Sequence, residues 1–333
     1  MLTLPITLAV ALILGFLALR HAVLQDRSVL FLALLAACAV QALLISLTQH
    51  YGLSQLSVIQ PITAVAAPPL AWLTFQSAAL RPLDPKRDVL HTLGPAFTAF
   101  CTVFAPVALD MVLPALFAGY GLAILIRLRR DNTLPLARLE AGPLPARIWK
   151  TVGMLLILSA LSDILIAVAV GLGHVGMRPL IISIFTSFTL LGIGLLSLSR
   201  DAEGTLEVAP KQTEPQPDPA VNDAALIARL DALMQMDRPY LDADLTLTRL
   251  ARRLHVPIKQ LSAAINRAKG ENISRYVNGF RIRHACQRLD DGDNVTEAML
   301  SSGFNTKSNF NREFARVTGQ SPSAHVNAKS AGS

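Results

Sequence analysis

Charge is what the first 200 residues lack. They carry 13 Lys/Arg and 7 Asp/Glu, whereas residues 201–333 carry 17 and 16. An ordinary soluble domain is roughly 25% charged. The front of the chain falls far below that and the back matches it. The whole-chain figures of 16% charged and 52% hydrophobic describe neither part. Cysteine is scarce too. Cys38, Cys101 and Cys286 are odd in number and far apart, so they make neither a disulfide framework nor a metal spacing. They read as small buried residues. No His/Glu/Cys cluster at ligand spacing occurs, and no G-x-S-x-G. These absences exclude a secreted enzyme, a disulfide-rich scaffold and a wholly soluble α/β protein. The expectation is a chain that is not an enzyme and takes no cofactor and no metal.

Long apolar runs are what the front has instead. A spanning helix needs about 20 mainly apolar residues. Seven runs qualify: Leu2–Leu19, Val29–Thr48, Leu53–Leu80, Val89–Leu109, Met111–Ile126, Thr151–Gly173 and Pro179–Leu198. The third contains Pro61, Pro68 and Pro69 and is expected to kink or start late. Only Asp110 separates the fourth from the fifth. The first has no basic segment before it, unlike a signal peptide.

Basic residues in the short loops set the orientation. The odd-numbered loops and the tail hold Arg20, Arg27, Arg81, Lys86, Arg87, Arg127, Arg129, Arg130, Arg138, Arg147, Lys150 and Arg200; the even-numbered loops hold only Arg178. This predicts a seven-helix transmembrane bundle over residues 1–200, N-terminus outside, with the C-terminal region in the cytoplasm. Asp163 sits near the middle of the sixth run, with Ser159 and Ser162 one turn earlier. A carboxylate at that depth faces the bundle interior or a wet cavity. It reads either as a ligand or switch site, or as an interhelical hydrogen-bond contact with Ser183 or Ser187. His91 and His174 read as solvated or interfacial histidines.

Residues 201–222 hold four prolines, five acids and one lysine. Such a segment buries no core and reads as an extended linker.

Residues 223–333 carry 16 Lys/Arg against 11 Asp/Glu. That excess alone is weak support for a nucleic-acid partner. The pattern is stronger, because helical periods recur between turn signals. Asp223–Met236 reads as a helix with Leu226, Leu230 and Leu233 on one face, for packing or for dimer contact. Leu245–Leu254 forms a short helix capped by Thr246. His255-Val256-Pro257 turns the chain. The next helix puts Leu261, Ala264, Ile265 and Ala268 on one face and Lys259, Ser262, Ala263 and Asn266 on the other, and Gly270 ends it. A long amphipathic helix, Ile273–Leu289, follows and stops at Asp290-Asp291-Gly292-Asp293. The pattern then repeats: helix Thr296–Ser301, turn Ser302–Asn305, helix Thr306–Val317 with Phe310, Phe314 and Val317 inward. A last short helix follows Ser321-Pro322.

Two helix-turn-helix units joined by one long helix make a specific arrangement. Residues 240–326 resemble the C-terminal DNA-binding domain of the AraC/XylS family of bacterial transcription regulators. The resemblance rests on Leu245-Thr246-Leu247, Leu250-Ala251, Leu261, Gly270, Ser274, Tyr276, Arg281-Ile282-Arg283, Ala285, Gly303-Phe304 to Ser308, Phe310, Arg312, Phe314, Gly319 and Ser321-Pro322. Leu300 and Ala263 depart from it, and the arginine common after the Ser-Pro turn is absent, with His325 and Lys329 nearby. The resemblance implies an all-α domain whose two second helices enter successive major grooves, roughly 34 Å apart. It makes Lys259, Ser262, Asn266, Lys307, Ser308, Asn311 and Arg312 candidates for base edges. Arg267, Lys269, Arg283 and Arg316 become candidates for phosphate. The expected partners are promoter DNA, the lipid bilayer, a second copy and RNA polymerase. The leading reading is a membrane-embedded one-component regulator with a sensing membrane half. The alternatives are a regulator merely anchored by that half, and a transporter-like protein with a DNA-binding tail.

Overall fold

The computed structural model describes residues 4–23, 29–130, 134–139, 142, 144–187 and 220–330. The linker read at 201–222 lies outside them up to residue 219, as do Arg27, Arg200 and the end of the seventh apolar run. Every regular element among the described residues is helical, and one isolated β-bridge pairs Arg138 with Thr246. The chain divides into two compact units. The first comprises residues 1–132 and 146–197, the second 133–145 and 198–333. The segment 133–145, the middle of the basic fifth loop, thus belongs to the second unit.

The first unit opens with α1 (Ile6–Val23) packed along α2 (Val29–Gln49). The third run is broken, as its prolines dictate. It comprises α3 (Gln60–Ala64), α4 (Ala67–Phe75) and one π-helical turn at Gln76–Leu80. Prolines 61, 68 and 69 carry no N–H and sit at the first turns of α3 and α4, where none is needed. Next come α5 (Leu93–Phe104) and α6 (Leu109–Arg130). The boundary between the fourth and fifth runs therefore lies at Ala105-Pro106, not at Asp110. Ala105 precedes a proline and leaves the helical region with φ −149° and ψ 61°. Asp110 sits instead in the first turn of α6, where the helix dipole favours an acid. The last long helix here is α7 (Leu144–Gly171). A Cβ added to Gly121 would stand 2.8 Å from the Gly153 carbonyl, so α6 and α7 cross almost backbone to backbone.

Seven full spans are not found among the described residues. Three helices are long and apolar enough to cross a membrane: Val29–Gln49, Pro106–Arg130 and Pro145–Gly171; Ile6–Arg20 is a shorter apolar helix. The third and fourth runs fall short because proline breaks them. Of the seventh, residues 179–187 are helical and the remainder lies outside the described residues. Cys101 is buried, while Cys38 and Cys286 are half-buried; all three are free thiols.

The second unit is built on α8 (Ala220–Met236), α9 (Leu247–Leu254), α10 (Ile258–Lys269), α11 (Ile273–Asp290), α12 (Val295–Ser301), α13 (Lys307–Thr318) and α14 (Pro322–Ser330). Two apolar cores flank α11. The first gathers Leu226, Leu230 and Met234 of α8 with Leu247, Leu250 and Leu254 of α9, Leu261 and Ile265 of α10, and Tyr276 and Val277 of α11. The second gathers Ile282, Ala285 and Leu289 of α11 with Ala298, Met299, Phe304, Phe310 and Phe314. Each core belongs to one helix-turn-helix unit, and α11 contributes its two ends to the two cores.

Candidate nucleic-acid interface

Local chemistry fixes both reading helices. Thr246 caps α9 by accepting from the Arg249 amide, and His255 ends it at φ 55°. Gly270 ends α10 at φ 69° and Gly319 ends α13 at φ 76°, left-handed positions where glycine costs least.

On α10, Lys259, Asn266, Arg267 and Lys269 are exposed. Ser262 is only 6% exposed, so its hydroxyl does not share the outer face with Lys259 and Asn266. Ala268, read as inward, is exposed. The buried face of α10 is rotated toward Leu261-Ser262 because α8 covers that side. Arg267 makes a two-pronged pair with Asp223 of α8, at 2.7 and 3.0 Å. That hydrogen bonding raises the guanidinium pKa above its ordinary value. Lys269 lies 3.6 Å from Asp231 of the same helix, whose carboxylate also accepts from the Tyr276 hydroxyl. Of the two uses read for this helix, packing is what the structure shows.

On α13, Lys307, Ser308, Asn311 and Arg316 are exposed, and Arg312 is half-buried. Val317, expected inward, is 37% exposed, because the core closes on Phe310 and Phe314. Arg312 donates to the Asn309 side chain and lies 3.5 Å from Glu313. Arg316 pairs with Glu313 at 2.8 Å. Glu313 is 4% exposed and holds both arginines at the helix surface. The sequence reading missed this role; its signal is the i,i+3 spacing of Glu313 and Arg316. Arg283, on α11, is exposed and stacks over the Phe280 ring at 4.3 Å. Arg275, Arg283, Arg316 and Lys269 surround Glu271 closely enough to pull its carboxyl pKa down, although burial outweighs them and pushes it up.

A second place in the molecule has a cavity. Trp72, His91, Ala115, Leu116, Gly119, Tyr120 and Ala123 line about 270 Å³ in the first unit. The His91 Nδ1 and the Tyr120 hydroxyl are 2.8 Å apart in its wall. Asp163 is half-buried on α7, with Ser162 buried and Ser159 half-buried. The Ser187 hydroxyl donates to the Ser183 carbonyl of its own helix. No hydrogen bond to Asp163 is present among the described residues.

Two helix-turn-helix units in tandem define a DNA-binding module. Residues 250–328 match the family model described as a helix-turn-helix domain, a type of domain that binds DNA in sequence-specific transcription regulation. No curated protein matches this chain, and no solved structure does.

Proposed function

We propose that this chain is a membrane-embedded, one-component transcription regulator of the AraC/XylS type. The observation that carries the reading is the pair of helix-turn-helix units, α9–α10 and α12–α13, joined by the single helix α11, with all but the first turn of α9 in the matched region. Residues 1–200 serve as a multi-pass domain of the inner membrane, 201–222 as the linker and 223–333 as the cytoplasmic DNA-binding domain. Lys259, Asn266, Lys307, Ser308, Asn311 and Arg312 read base edges, and Arg283 and Arg316 bind phosphate. Ser262, Arg267 and Lys269 join them once α10 shifts against α8. The apolar cavity beside His91 and Tyr120 supports sensing by the first unit, and Asp163 with Ser159 and Ser162 forms a second position for a switch. A homodimer doubles the reading heads, and RNA polymerase is the downstream partner.

The test is Arg312→Ala in the full chain, assayed on a duplex enriched from a random-sequence pool. Specificity at one base pair should relax and binding should weaken by about 1–3 kcal/mol. Unchanged affinity and sequence preference would remove α13 from the groove.

A further inference from the structure

Residues 134–139 and 142 lie in the chain between α6 and α7, yet they fold with the second unit. Their backbone runs antiparallel to the start of the first helix-turn-helix. The Leu139 amide donates to the Leu245 carbonyl at 3.0 Å, and the Thr248 amide donates to the Pro135 carbonyl at 3.1 Å. The Thr248 hydroxyl donates to the same Pro135 carbonyl at 2.8 Å. Arg138 bridges Thr246 and pairs with Asp244 at 3.0 Å. Leu139 enters the first core and is 3% exposed there. Three residues further on, the segment reaches the other helix-turn-helix: a Cβ placed on Gly142 would lie 3.1 Å from Nη2 of Arg312.

From this we infer that residues 134–139 with Gly142 act as an autoinhibitory strap, whose docking and the entry of α13 into a major groove exclude one another. The inference rests on the DNA-binding reading above. An arginine whose guanidinium lies against the strap backbone cannot reach a base edge at the same time, since that reach needs the side chain clear of its own protein. The strap thus touches both reading units. Its hold is built to be released. Leu139 is a single apolar anchor, and the Arg138–Asp244 pair is half-exposed on one side and 61% exposed on the other, a setting in which ion pairs contribute little. In sequence the strap is flanked by α6 and α7 of the first unit. A signal at the first unit thereby has a covalent route to Arg312. When docked and free forms interconvert, the apparent affinity for DNA falls in proportion to the docked fraction.

The experiment uses the full chain in detergent micelles and a duplex enriched by it from a random-sequence pool. Arg138 and Thr246 face each other across an antiparallel bridge, where Cα atoms are about 4.5–5.5 Å apart, within disulfide reach. Arg138→Cys with Thr246→Cys, in a background of Cys38→Ala, Cys101→Ala and Cys286→Ala, locks the strap when oxidised. Oxidation should weaken binding at least about tenfold, and reduction of the same sample should restore it. Equal affinity in the two states overturns the inference, and so does tighter binding when oxidised. Leu139→Asp approaches it from the other side. It should speed hydrogen exchange of the Thr248 amide, leave the amides of α11 protected, and tighten DNA binding severalfold. Weaker binding with α11 protected would make the strap a structural part of the domain and overturn autoinhibition. Loss of α11 protection would show the strap to be part of the fold and overturn it likewise. A chain that enriches no duplex in any state overturns the DNA-binding reading as well, which separates that failure from failure of the strap alone.

Discussion

Arg281 is the largest side chain fully withdrawn from solvent among the described residues. It does not face DNA. Its guanidinium donates to the carbonyls of Tyr240 at 2.7 Å and Asp242 at 2.8 Å, and to Asn278 Oδ1 at 3.1 Å. It also lies over the Phe304 ring. Gly303 meets the same stretch from the other side. A Cβ there would stand 2.6 Å from the Tyr240 carbonyl, and its φ of 80° suits glycine in any case. The segment before α9 is thus clamped between α11 and the second turn, the join on which both units depend. His284, one turn from Arg281, sits beside this join with Nδ1 3.1 Å from the Ser302 hydroxyl. Burial, with Arg238 and Arg288 adding to it, holds its pKa below the ordinary value, against a smaller pull from Asp293. The unfolded chain therefore takes up this proton at a higher pH than the folded one. Stability from this group is complete above about pH 6.5 and is lost as pH falls through the folded value. Thermal unfolding of the full chain in micelles, followed by exchange of α11 amides, should show that acid-side loss. His284→Gln should flatten it, and an unchanged slope in that variant would assign the loss to another group.

Among the elements, α12 depends most on one residue. It has seven residues, too few to be stable without its end groups satisfied. Asn294 accepts from the Thr296 and Glu297 amides, and Glu297 reaches back to the Asn294 amide, a reciprocal capping box. Asn294→Ala should cost about 1–2 kcal/mol of second-unit stability, measured as a lower denaturation midpoint with an unchanged slope. A variant as stable as the wild type would place the hold on α12 in its core contacts alone. The same elements show what could be read from the chain. Thr246, Gly270 and Gly319 mark helix ends chemically, and α9, α10, α11 and α13 were expected within a residue or two of where they lie. Asn294 and Glu297 carried an equally local signal, but the helix was expected to start at Thr296. The buried faces were harder to read, because they depend on partners distant in sequence. Ser262 turns inward and Ala268 outward because α8 packs on α10, and Val317 is left at the rim once the phenylalanine core closes. In the first unit, apolar composition located the helices but not their breaks. Pro106 interrupts where Asp110 had marked the boundary, and prolines divide the third run into short helices. The strap was wholly illegible, because a basic loop reads as a topology marker and nothing in its composition announces that Leu139 is buried.

At the scale of the whole molecule, the strap adds a constraint that charge counting does not contain. The net +7 of the chain is mostly the +6 of residues 1–200, which marks loop orientation. Independently, residues 133–145 fold with residues 220–330, so in a membrane the two segments share one compartment. The chain between Lys150 and residue 220 must then cross an even number of times. The helix Pro145–Gly171 is long and apolar enough to make one crossing. If that helix crosses, a second crossing must follow before residue 220, and the run Pro179–Leu198 is the remaining apolar stretch there. Parity thus ties the last two of the seven runs together: they cross as a pair or not at all. A reporter inserted after Gly173 should signal the outside of the membrane, and one fused after Arg200 should signal the cytoplasm. The same side at both positions would mean that the run between them does not cross. It would then sever the link between strap docking and membrane topology, whatever the charge count says.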